Sequence, residues 1–185
     1  MRIPNTVMKR DTEEIRALNN FNEKGVSAMK ILVFGAGVLG CNLANSLFKA
    51  GKDVTLLARG KWAEEIKENG LRIKNRLLPH TAVSRIPVAE ELLPSDVYDI
   101  IFVALRYTQL EAAADALRAN KTKNIILVGN NVRADETAAL FPEKNVMFAF
   151  TNAAGHGESS RVVSIDMHKI TIGEFAGAPS NDGQS

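Results

Sequence analysis

Residues 29–40 read Met-Lys-Ile-Leu-Val-Phe-Gly-Ala-Gly-Val-Leu-Gly, an apolar run that breaks into three glycines spaced Gly-x-Gly-x-x-Gly. Ile31 to Phe34 lack polar alternation, so the run predicts a parallel strand buried on both faces. Gly35 permits the tight turn out of that strand, Gly37 lets a phosphate approach the backbone, and Gly40 lets the following helix pack close. Ala36, Val38 and Leu39 fill the intervening positions. Unpaired amides at the helix start would face an anion, which is the pattern of a dinucleotide-binding turn.

Glycines are common in loops, so the spacing needs its context. Asn42 to Lys49 carries Leu43, Leu47 and Phe48 at helical spacing, and Gly51 supplies a stop. Asp53 to Ala58 reads as a second strand with Val54, Leu56 and Leu57 as its apolar members, so a βαβ unit closes in about 30 residues. Just past it stands Arg59, where a site for NAD usually places Asp or Glu to bind the ribose 2′-hydroxyl. Ala58-Arg59-Gly60-Lys61 offers two cations instead. A charge-assisted contact to a 2′-phosphate is worth roughly 1.5–3 kcal/mol, enough to favour NADPH over NADH by roughly ten- to a hundredfold. NADP is therefore the expected cofactor. The alternative is that Arg59 and Lys61 are solvated loop charges.

Around this unit the chain keeps an α/β rhythm. Lys61 to Glu68 predicts a helix ended by Asn69-Gly70, and Leu71 to Asn75 and Thr81 to Val88 predict short strands broken by Pro79 and Pro87. Ile100 to Leu105 reads as a buried strand, with Thr108 as N-cap of an alanine-rich helix through Leu117. A strand at Asn124 to Val128, a short helix at Arg133 to Leu140 stopped near Pro142, and a strand at Asn145 to Phe150 follow. Val162 to Ile165 and Lys169 to Ile172, around Asp166-Met167-His168, suggest a terminal hairpin. The expected fold class is α/β, Rossmann-type and doubly wound, with a mostly parallel sheet and a C-terminal antiparallel hairpin. Residues 1–28 read as a poorly ordered extension with a short helix at Thr12 to Leu18, residues 29–175 as the NADP-binding domain, and residues 176–185 as a linker.

Composition narrows the partners. The 185 residues suit one domain, and a formal charge of +2 gives no electrostatic case for nucleic acid or an anionic membrane. Apolar runs are strand-length and no signal peptide is evident, so a cytoplasmic protein without membrane association is expected. One cysteine excludes an internal disulfide; Cys41, with no histidine nearby in sequence, reads as a small packing residue. His80, His156 and His168 lack metal-ligand spacing, so no metal is expected.

In an open parallel sheet, ligands sit beyond the carboxyl ends of the strands. Those positions hold the glycine turn, Arg59, Leu105-Arg106 and Asn130-Asn131. Arg106 suits a forked contact to a phosphate or a substrate carboxylate, or equally a solvated cap. Asn130 suits donation to a carbonyl or to the nicotinamide amide, although Asn-Asn is also ordinary turn chemistry.

Taken together, Lys30 to Gly40, Asp99 to Gln109, Asn124 to Val132 and Ile172-Gly173-Glu174 resemble the ketopantoate reductases (2-dehydropantoate 2-reductases), specifically their N-terminal NADP-binding domain. The resemblance implies NADPH bound through Gly35, Gly37, Gly40 and Arg59. It places Arg106 where the family carries a lysine, with Gln109 three positions on, and Asn130 where the family has an asparagine lining the nicotinamide side; Asn130 is the one catalytic candidate. It implies a small 2-oxo acid as substrate, with hydride passing from NADPH to the keto carbon, and is compatible with a homodimer. It also implies that the catalytic lysine and glutamate lie in a helical C-terminal domain beyond the linker. A non-catalytic NADP-binding or redox-sensing module, or the cofactor domain of another Rossmann dehydrogenase, are the alternatives.

Overall fold

β1 (Lys30–Phe34) hydrogen-bonds on one side to β2 (Asp53–Leu57) and on the other to β6 (Ile100–Val103), both parallel to it. These coordinates are a computed structural model describing residues 29–76, 80–129 and 134–174. The expected helix at Thr12 to Leu18, Pro79, Asn130-Asn131 and the tail from Ala176 lie outside the described residues.

Val33 and Ile31 pack against α1 (Val38–Lys49) and α2 (Gly60–Asn69), in one cluster with Cys41, Ala44, Ala63 and Ile66. Leu32 and Phe34 point the other way, into a cluster with Leu110, Ala114 and Leu117 of α3 (Tyr107–Ala119). Both faces of β1 are covered, which explains its unbroken apolar run. Each such side chain, fully removed from water, contributes about 1.5–3 kcal/mol.

β7 (Asn124–Val128) and β8 (Asn145–Gly157) extend the parallel sheet beyond β6, and the two-residue β5 (Val88–Ala89) closes it beyond β2. The order β5-β2-β1-β6-β7-β8 is the doubly wound arrangement, with its crevice at the reversal beside β1. β9 (Val162–Glu174) then runs antiparallel to β8, and β3 (Leu71–Asn75) and β4 (Thr81–Ser84) join beyond β9 to complete a nine-stranded sheet. The short α4 (Ala134–Ala139) lies between β7 and β8 in sequence.

Two local expectations are corrected. The C-terminal hairpin exists, but its arms are β8 and β9, each 13 residues long, and its turn falls at Glu158–Arg161 rather than at Asp166-Met167-His168. There the Glu158 N–H donates to the Arg161 carbonyl at 2.8 Å, and Arg161 Nε meets Glu158 Oε2 at 2.6 Å. Asp166-Met167-His168 falls instead where the β8–β9 register shifts, between the Ala153–Asp166 and Thr151–Ile170 pairs, while Gly157 and Ser159-Ser160 carry the turn chemistry.

α1 buries Gly40, Cys41, Asn42, Ala44 and Asn45, while Leu43, Leu47 and Phe48 pack partly covered against the same core. Small side chains let the helix approach the sheet closely, and two hydroxyls serve its buried amides. Ser164 Oγ of β9 donates to Asn42 Oδ1 at 3.0 Å, and Ser84 Oγ of β4 donates to Asn45 Oδ1 at 2.8 Å.

The second corrected expectation is the N-cap of α3, which is Arg106, not Thr108. The Arg106 N–H donates to Gln109 Oε1 at 3.1 Å, so the glutamine reaching back sets the helix start two residues early.

Candidate functional site

A cleft of about 1230 Å³ opens at the carboxyl ends of β1, β2, β6 and β7. This exceeds the roughly 300–1,000 Å³ of ordinary small-ligand sites and suits an extended ligand.

The glycine turn forms one wall. Gly35 has φ +116°, and a Cβ there would sit 2.6 Å from the Ala104 carbonyl oxygen, so both conformation and crowding require glycine. Gly40 lies behind the turn and is buried; a Cβ on it would come within 1.8 Å of the Gly35 carbonyl oxygen. Gly37, the N-cap of α1, is different. Its conformation is extended, and a Cβ would meet nothing within 4 Å, so its exposed side is open cleft.

The first intrahelical bond of α1 runs from the Cys41 N–H to the Gly37 carbonyl at 2.8 Å. The amides of Val38, Leu39 and Gly40 precede it and have no acceptor within the helix. No acidic side chain occupies the first turn, leaving the positive end of the helix dipole uncompensated. These features fit a dinucleotide diphosphate: an open glycine position and unshared amides at one helix start.

Arg59 is the exposed N-cap of α2, and its guanidinium carbon lies 5.8 Å from the centroid of the Phe34 ring at the cleft floor. Lys61 is exposed in the same first turn. Trp62, half-buried, lines the cleft and donates from Nε1 to the Ala36 carbonyl at 3.0 Å. Cys41 also donates to that oxygen, with Sγ at 3.3 Å. Burial pushes the Cys41 thiol up to about 12 despite the opposing indole contact, so at neutral pH it stays a protonated packing residue, as its lone position suggested.

The facing wall is the segment from β6 into α3. Leu105 is half-buried there, whereas Arg106, Tyr107, Thr108 and Gln109 are exposed and line the cleft. Gly35, Ala36, Gly37, Val38, Leu39, Arg59, Leu105, Arg106 and Gln109 thus meet on one cavity, with Gly40 supporting it from behind. Asn130 lies outside the described residues, and Gly129 beside it lines the cleft. Sequence reasoning missed Trp62, Tyr107 and Thr137. For Trp62 a signal existed: it stands three residues after Arg59, on the same first turn of a helix.

The family profile described as "Ketopantoate reductase PanE/ApbA" matches residues 31–177. The chain belongs to the ketopantoate reductase family. The 2-dehydropantoate 2-reductase of Mesorhizobium japonicum is 37% identical over 94 residues, covering 48% of this chain and 27% of that protein. The crystal structure of 2-dehydropantoate 2-reductase from Geobacter metallireducens superposes with a TM-score of 0.67 at 24% identity, covering 80% of this chain and 50% of that one. A D-mandelate dehydrogenase structure containing NADH and anilino(oxo)acetate superposes with a TM-score of 0.64 at 21% identity, covering 78% of this chain and 47% of that one. These two structural likenesses establish the shared fold. The chain spans about half the length or less of the relatives it matches. Members of this family are oxidoreductases dependent on a nicotinamide dinucleotide. Among the described residues no helix is long and apolar enough to cross a membrane, and no group of three or more His, Cys, Asp or Glu could hold a metal ion.

Proposed function

We propose that this chain is the NADPH-binding part of a 2-oxo acid reductase of the 2-dehydropantoate type. The observation that carries the reading is the convergence of the open glycine turn and Arg59 on one cleft. The Gly37 to Leu39 amides would hold the diphosphate, and Arg59 would pair with the 2′-phosphate. Phe34 beneath the guanidinium limits the positions Arg59 takes up, so less freedom is lost on binding.

NADPH, when bound, supplies the hydride for the keto carbon of the substrate. Val38 and Leu105 would exclude water along the cofactor's length. Arg106 would offer two parallel N–H donors to the substrate carboxylate, and Gln109 and Asn130 would orient the nicotinamide side. The proton for the reduced oxygen belongs, in this reading, to a general acid on the helical domain that the family resemblance implies.

Parallel calorimetric titrations of the 185-residue protein with NADPH and NADH test the proposal. NADPH should bind at least about tenfold more tightly. Equal affinities, or tighter NADH, would overturn the 2′-phosphate assignment, and binding of neither would overturn the dinucleotide reading.

A further inference from the structure

Two donors from two helices converge on one backbone oxygen of the glycine turn. Trp62 Nε1 of α2 and Cys41 Sγ of α1 both reach the Ala36 carbonyl, at 3.0 and 3.3 Å. The described chain has no cis peptide bond, so in the planar unit joining Ala36 to Gly37 the N–H points opposite to the carbonyl. Holding the oxygen inward against α1 and α2 therefore turns the Gly37 N–H outward, on the side where Gly37 is exposed to the cleft.

We infer that Trp62 is a positioning residue of the cofactor site: its indole N–H fixes the Ala36–Gly37 peptide so that the turn presents an amide, not a carbonyl, to the diphosphate. The inference rests on the dinucleotide reading given above. Without the pin, a peptide followed by glycine rotates at little steric cost, and the rotated form points a carbonyl dipole at an anion. Cys41 assists because its buried thiol keeps its proton. Trp62 shares the first turn of α2 with Arg59, so one turn of helix both reads the 2′-phosphate end and sets the diphosphate end.

Trp62→Phe keeps a ring in the cleft and removes the donor. Calorimetric titration of wild type and variant with NADPH and with adenosine 2′-monophosphate, which has no diphosphate, separates the roles. NADPH affinity should fall about three- to tenfold, the worth of one hydrogen bond, while adenosine 2′-monophosphate stays within about twofold. Equal losses for both ligands would make Trp62 only a packing wall, and no loss for either would remove its role; each overturns the inference. Failure of wild type to bind NADPH would instead bring down the dinucleotide reading and this inference with it. Cys41→Val gives a second route if Trp62→Phe does not fold. Removal of that weaker donor should widen the same affinity ratio by about two- to threefold, and an unchanged ratio would contradict the pin.

Discussion

The two walls of the cleft are built by different means. The wall from β1 into α1 is backbone: a left-handed glycine, a helix start without acidic residues, and a carbonyl pinned from behind by Trp62 and Cys41. The wall from β6 into α3 is a row of exposed side chains, Arg106 to Gln109, resting on a helix start held by one glutamine bond. The first wall tolerates little change because its shape depends on distances of closest approach. The second can change its side chains with little effect on the fold.

The contrast breaks first at Gly40. Gly40→Val should destabilise by about 3 kcal/mol or more in denaturant unfolding, because its new Cβ would overlap the Gly35 carbonyl oxygen and neither backbone can yield. Gly37→Ala, with open space around it, should stay within about 1 kcal/mol of wild type in the same assay yet bind dinucleotide more weakly. Similar stability losses at the two positions would refute the division of roles between them.

Arg59→Asp should lower NADPH affinity about ten- to a hundredfold while NADH changes far less, measured by calorimetry. Equal losses would remove the 2′-phosphate role. Smaller is the effect of Ser164→Ala, which strips Asn42 Oδ1 of a buried partner and should cost about 1–2 kcal/mol in thermal or denaturant unfolding. That change ties the hairpin to the first wall, since Asn42 Nδ2 also donates to the Val38 carbonyl at 2.8 Å in the first turn of α1. Smallest is Gln109→Ala, which removes an exposed capping bond and should cost about 0.5 kcal/mol in the same assay. A loss as large as that of Gly40→Val would mean the second wall is not the adaptable one.

The legibility of the chain follows the same division. The strand at Ile31 to Phe34 and the places of the glycine turn and Arg59 on the cleft could be read from the sequence because they depend on local conformation and on short, fixed spacing. The hairpin could not be delimited, because the break at Asp166-Met167-His168 is a register shift inside a ladder that resumes on both sides, and that resumption is a long-range fact. The buried face of α1 was not legible either: closeness to the sheet selects Gly40, Cys41 and Ala44 and gives Asn42 and Asn45 hydroxyl partners more than thirty residues away. Trp62 was missed as a cleft residue because its role is a bond to the backbone of another element.

The most direct test is a crystal structure of this protein grown with NADPH. The account predicts the diphosphate against the Gly37 to Leu39 amides and the 2′-phosphate in hydrogen-bond contact with the Arg59 guanidinium. A diphosphate away from the start of α1, or a 2′-phosphate turned into solvent away from Arg59, would contradict it.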